Sequence, residues 1–212
     1  LATSATAQTD AVPNYVGSAA CADCHVEATE AWQGSHHANA WTETSDANVL
    51  GDFNNTTFTL SGVMSRFYRD GDTYMIETGG PDGRITRYPV HSVVGIEPLQ
   101  QYLLETEDGR LQSVDVVWDT EEERWYHLYP DQELYGGDGL HWTGPYKNWN
   151  ARCAECHATD FKKNYSPIEL SYSSTQSEIG VGCEACHGPG EAHLAWAERL
   201  ETTQEPWTGL SA

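Results

Sequence analysis

The sequence predicts an α+β fold in which short helices and loops pack around tethered cofactors, with an antiparallel sheet inserted between them. Three observations predict it. The pattern Cys-x-x-Cys-His occurs three times, at Cys21-Ala-Asp-Cys24-His25, Cys153-Ala-Glu-Cys156-His157 and Cys183-Glu-Ala-Cys186-His187. These copies use all six cysteines of the 212-residue chain. Between the first and second copies, residues 52–130 contain no cysteine and read as strands separated by turn residues.

Cys-x-x-Cys-His is the attachment signature of c-type haem. The two thiols add to the porphyrin's vinyl groups as thioethers, and the two-residue gap sets both sulfurs on one helical turn. The histidine that follows falls under the iron, where imidazole is a good axial ligand. Three copies with no cysteine left over imply three covalently attached haem c groups. Cys21, Cys24, Cys153, Cys156, Cys183 and Cys186 would hold them, with His25, His157 and His187 as proximal ligands. Zinc is the main rival, since the second and third pairs could form a four-cysteine site. That arrangement strands the first pair and gives no reason for the histidines. A disulfide framework leaves the histidines unexplained as well.

Hydrophobic residues make up 39% of the chain, which is lean for its length. Three buried porphyrins would supply the missing apolar volume, and eight Trp and eleven Tyr suit packing on flat rings. The formal net charge is −21, from 32 acidic and 11 basic residues. Nucleic acid is therefore not an expected partner, because phosphates demand Lys and Arg. The acidic surface either steers basic redox partner proteins or serves solubility. No run of 18 apolar residues occurs, so no transmembrane segment is expected. Ala5-Thr6-Ala7 has the small-x-small form of a signal-peptidase site. Haem attachment of this kind is normally completed outside the cytoplasm. Both features point to a periplasmic or extracellular protein.

In chain order, residues 1–17 read as an extended N-terminal tail. Residues 18–51 hold the first haem site: Ala22 to Trp32 suits a helix that Gly34 ends. His36 and His37, just beyond it, are candidates for a second axial ligand. Residues 52–130 are the β-rich insertion. Strands are expected at Thr56–Leu60, Ser65–Arg69, Thr73–Thr78, Arg84–Val90, Gln101–Glu105, Leu111–Trp118 and Arg124–Tyr129. Asp70-Gly71, Pro81-Asp82-Gly83 and Asp108-Gly109 supply hairpin chemistry. A sheet of about five to seven strands follows. His91 and His127 in this region read as structural. Residues 131–200 hold the second and third sites, whose short separation suggests neighbouring haems. His141, in a Gly- and Trp-rich loop before Cys153, is a further candidate ligand. Gly188-Pro189-Gly190 stops one helix, and Glu191 to Leu200 reads as the next. His193, in its first turn, is a candidate distal ligand to a neighbouring haem. Residues 201–212 read as a C-terminal tail.

Tyr15-Val-Gly-Ser-Ala-Ala-Cys-Ala-Asp-Cys-His25 and Trp32-Gln-Gly-Ser-His-His-Ala38 resemble the haem domain of bacterial multihaem cytochromes c related to the tetrahaem cytochrome c of ammonia oxidisers. Pro98-Leu-Gln-Gln-Tyr102, Trp125-Tyr-His-Leu-Tyr-Pro130, His141-Trp-Thr-Gly144, Asn148-Trp-Asn150 and Gly182-Cys-Glu-Ala-Cys-His-Gly-Pro-Gly190 are similar to the subgroup in which this domain precedes tetratricopeptide repeats. The resemblance implies an exported electron-transfer or redox protein, with distal ligands at His37 and His193. The chain departs from it in having three attachment sites and no repeats after the haem domain.

Nine histidines are enough for two imidazoles on each of three irons. Met64 and Met75 both lie in the sheet region and are poor candidates. Bis-histidine ligation leaves no open position, which suits a carrier that transfers electrons between redox partners rather than an enzyme. The alternative is a multihaem reductase or oxidase of a small nitrogen or sulfur oxyanion with one open haem, faced by His127, Arg124 and Tyr126. A variant of the carrier is a homo-oligomer or filament that conducts from haem to haem in an extracellular assembly.

Overall fold

The computed structural model describes residues 13–200. The Ala5-Thr6-Ala7 stretch, most of the expected N-terminal tail and the 201–212 tail lie outside the described residues.

One antiparallel sheet forms the body of the molecule. Its continuous path runs β2 (Thr56–Leu60), β3 (Val63–Asp70), β4 (Thr73–Gly79), β5 (Ile85–Val94), β6 (Leu99–Glu105), β8 (Val116–Asp119) and β9 (Arg124–His127). Two short strands complete nine: β1 (Thr42–Glu43) pairs with β5, and β7 (Leu111–Ser113) pairs with β6. The outer strands β2 and β9 approach each other, so the sheet nearly closes into a barrel. Only 22% of the described residues are helical. The expected haem-packed helical α+β cytochrome with an inserted sheet is therefore corrected: the sheet is the body.

The physical reason is where the aromatic rings go. The sequence suits some of them to porphyrin packing and most to an ordinary core, and the largest group fills the inside of the sheet. Phe53 touches Phe67, Tyr74, Tyr102 and Trp125 with ring centroids 5.0–5.9 Å apart. Phe67 and Trp125 stack at 3.5 Å and 8°. Trp118 and Trp142 join the same core.

Local chemistry explains the strands. In β4, Tyr74, Ile76 and Thr78 are buried in alternation, the period of a strand with one face inside. The β3–β4 turn is Gly71-Asp72, with Gly71 at φ +60°. The β2–β3 turn is Ser61-Gly62, and both residues have positive φ, as a type I′ hairpin requires. The expected strand Leu111–Trp118 is two strands, because the chain breaks at Val114-Asp115. There Asp115 turns inward to an ion pair with Lys147 at 2.5 Å.

β6 is buried on both faces. Tyr102 and Leu104 point into the sheet core, while Leu103 faces a second cluster with Trp41, Leu111, Trp149, Ala154 and Ala158. That second cluster seats the cysteine-bearing part of the chain on the outside of the sheet.

Candidate metal centre

Each Cys-x-x-Cys-His sits on a tight helical turn. The third is α4 (Cys183–His187), and the second has Cys153 as the N-cap of α3 (Ala154–His157). The first lies between a 3₁₀ turn, Ser18–Cys21, and α1 (Val26–Gln33). There the His25 amide donates to Cys21 O at 3.0 Å, the i to i−4 bond of an α-helix, so the helical spacing holds. In every pair the first thiol is half-buried and the second exposed, and all six are free.

The first and third turns are fastened together by carboxylates. Glu184, the residue after Cys183, is 3% exposed. It accepts from the amides of Val16 (2.9 Å), Gly17 (2.7 Å) and Gly190 (2.6 Å). Glu178 accepts from the Ser18 hydroxyl at 2.7 Å, and Ser18 Oγ accepts from the Cys183 amide at 2.9 Å. Glu191, which opens α5 (Glu191–Leu200), accepts from the Asn14 amide at 2.8 Å. A Cβ at Gly182 would lie 2.0 Å from Glu178 Oε2 and 2.6 Å from Ser18 Oγ, so any side chain there would push the carboxylate off Ser18. The result brings the Cys21 and Cys183 thiols close enough to influence each other's charge. Burial pushes the Cys21 thiol up, and Cys183, Glu184 and Glu178 add to it. Burial likewise pushes Cys153 up.

The second turn joins the same assembly. β10 (Ala158–Thr159) pairs with β13 (Glu178–Ile179), and Thr159 Oγ1 accepts from the Gly182 amide at 2.9 Å. The Trp32 indole donates to Val181 O at 2.8 Å. The sequence separation pairs the second site with the third; the structure adds the first, fastened to the third through Ser18, Glu178 and Glu184.

The histidines divide into two kinds. His157 Nδ1 lies 3.0 Å from Ala40 O. A carbonyl only accepts, so Nδ1 carries the proton and Nε2 keeps its lone pair, the tautomer a metal needs. The Trp149 indole packs edge-on to this ring at 5.0 Å. His25 and His193 have near-parallel rings, 28° apart, with centroids at 6.1 Å, and Trp196 stacks on His193 at 5.5 Å. His187, His36 and His37 are exposed, and none of their rings packs on another motif histidine among the described residues.

His141 stands apart. It lines a hollow inside the sheet with His127, Asp115 and Trp142, and its Nδ1 meets the Thr143 hydroxyl at 2.7 Å. His127 Nδ1 accepts from the Tyr129 amide at 3.0 Å, so its neutral ring carries the proton on Nε2. Burial holds both imidazoles below their ordinary value, with nearby Asp115 opposing it. Arg124, at the start of β9, pairs with Glu122.

The donor sets fit haem better than a zinc cluster. Among the described residues no three His, Cys, Asp or Glu side chains converge as ligands to one ion, so the four-thiolate arrangement is not formed. Haem asks only for two free thiols and one imidazole from each turn. Two buried donors near the second turn, Arg110 Nε and Trp149 Nε1, have no hydrogen-bond partner. Sequence reasoning missed Glu184, Lys147 and Arg110. A charged residue between two cysteines carries no local sign of burial.

A family model described as cytochrome c554 and c-prime matches residues 20–57 and 138–188. Those two stretches contain all three motifs and leave out most of the sheet. No curated protein matches the chain. Among solved structures, the outer cell wall cytochrome OcwA is similar in fold, with a TM-score of 0.53 and 19% identity. The likeness covers 87% of this chain and 33% of that one, so the chain spans about a third of the length of that cytochrome. The family match thus falls on the three motifs, and the likeness to the solved structure is one of fold.

Proposed function

We propose that the chain is an exported carrier domain with three haem c groups, tethered at Cys21/Cys24, Cys153/Cys156 and Cys183/Cys186, that passes electrons between redox partners. Haem iron, when bound, supplies one-electron oxidation and reduction. The rest is the work of this chain. Paired thiols on tight turns tether, and His25, His157 and His187 stand ready as proximal ligands. Ala40 O holds the His157 proton on Nδ1 and orients the ring.

One observation carries the reading. Two imidazoles bound on opposite sides of one metal at about 2.0 Å each place their ring centroids roughly 6 Å apart. His25 and His193 stand at 6.1 Å, near parallel. That spacing supports His193 as the residue that, with His25, would hold the iron of the first site. The neighbour's description as an outer cell wall cytochrome supports export.

A second reading has its own observation. Neither His157 nor His187 has another imidazole packed against it among the described residues, as an open haem acting on a small oxyanion requires. Mass spectrometry of the purified protein counts the haems, and absorption and paramagnetic resonance spectra separate the readings. Three haems, all low-spin and inert to carbon monoxide, support the carrier. One high-spin haem that binds carbon monoxide supports the enzyme. A bare polypeptide from a host competent in haem attachment refutes both.

A further inference from the structure

The chain has 32 acidic and 11 basic residues, so a cation without a carboxylate stands out. Arg69, Arg84, Arg87, Arg124, Lys147 and Lys162 all have one within ion-pair distance. Arg66, Lys163, Arg110 and Arg152 have none among the described residues, and the last two line one hollow, open to solvent, beside Ala151 and Arg152, which lead into the second Cys-x-x-Cys-His turn. No Asp or Glu lines it, while the facing Tyr165 and Tyr172 rings, 4.8 Å apart, wall one side. Arg110 donates through Nη2 to Leu170 O at 3.0 Å, but its buried Nε has no partner. Arg152 is held over the Tyr146 ring at 4.9 Å, leaving its guanidinium edge free to donate. The Cys153 thiol, one residue on, lies within the field of Arg152.

We propose that this hollow is a carboxylate site, in which Arg110 and Arg152 hold the propionate edge of the macrocycle tethered at Cys153 and Cys156. The proposal rests on the reading of that pair as an attachment site. Guanidinium groups are suited to the task, since their planar fork meets a carboxylate with two parallel hydrogen bonds. Their positive charge favours the reduced, less positive iron. A free oxyanion in solution presents the same oxygen chemistry, so the test separates the two sources.

The test uses the holoprotein, with Arg110→Gln/Arg152→Gln and Arg110→Lys/Arg152→Lys variants. Single Arg152→Gln, at an exposed position, stands in if the double variant does not fold. Haems are counted by mass, and each is followed through a potentiometric titration. The glutamine variant is expected to keep three haems and to shift one of them to lower potential. At fixed potential its oxidised-to-reduced ratio rises about tenfold, which is about 59 mV for one electron. The lysine variant retains most of the wild-type value. Full haem content with every potential unchanged overturns the proposal. So does calorimetric uptake of sulfate by the wild type that vanishes in the glutamine variant while no potential moves, since the anion is then a free one. Peptide mass showing unmodified Cys153 and Cys156 in the wild type instead overturns the attachment reading, and this proposal with it.

Discussion

The sheet and the cysteine-bearing scaffold are held together by opposite means. The sheet buries rings against rings, with Phe67, Tyr102 and Leu104 all at 0% exposure. The scaffold buries little apolar surface of its own. α5 has no buried residue, and α1 has only Thr29. Between its first and third turns the buried groups are polar ones, Glu184 and Ser18, and its ladders are two residues long. The sheet is therefore held chiefly by hydrophobic burial. The scaffold depends on carboxylate-to-amide bonds and on docking through Trp41 and Trp149. A family match that follows the motifs and skips most of the sheet fits the same division.

Four experiments would break or sharpen that contrast, from the largest effect to the smallest. Trp125→Ala removes the ring stacked on Phe67 and should cost about 3–5 kcal/mol. Thermal unfolding followed by circular dichroism should show the sheet melting first; an unchanged Tm would mean the aromatic core is not what holds it. Lys147→Met leaves buried Asp115 without its cation, across the join between sheet and scaffold. A loss of about 3–5 kcal/mol is expected in urea unfolding. Most of it should return in Asp115→Leu/Lys147→Met, and a double variant as unstable as the single one would contradict the ion-pair account.

Glu184→Ala strands three amides and should cost about 1–3 kcal/mol, confined to the scaffold. Hydrogen exchange should quicken at Val16, Gly17 and Gly190 and stay unchanged in β3 to β6. Equal quickening in the sheet would show that the two regions are one cooperative unit. The smallest effect is a pH dependence. Burial holds folded His127 below the ordinary imidazole value, so the unfolded chain binds the proton more readily. Stability is then full above about pH 6.5 and declines as pH falls through that value toward the folded one. His127→Gln should flatten the decline in Tm measured across this range.

Much of the sheet was legible beforehand. Thr56–Leu60 has the ends the sequence predicts, and the hairpin expected at Asp70-Gly71 turns one residue on, at Gly71-Asp72. Ser61-Gly62 was not seen as a turn, because serine seldom takes positive φ. Leu111–Trp118 reads as one strand because nothing local says that Asp115 will find Lys147, 32 positions later. The fold class was misjudged for a related reason. Periodicity locates strands but does not say whether Trp118, Trp125 and Trp142 face a porphyrin or one another. In the candidate site the turns are plain from spacing, whereas nothing local indicates that His141 lines the same sheet hollow as His127.

The sequence by itself determined where the thiol pairs and their following imidazoles stand, since that geometry is contained within a single helical turn. It also determined the strands, whose alternation is equally local. Only the tertiary structure decided which groups meet across the chain. His193 comes to His25, Arg110 joins Arg152 at one hollow, and Glu184 reaches the amides of Val16 and Gly17. Those meetings depend on how the sheet closes and what docks outside it, and no short-range pattern encodes either.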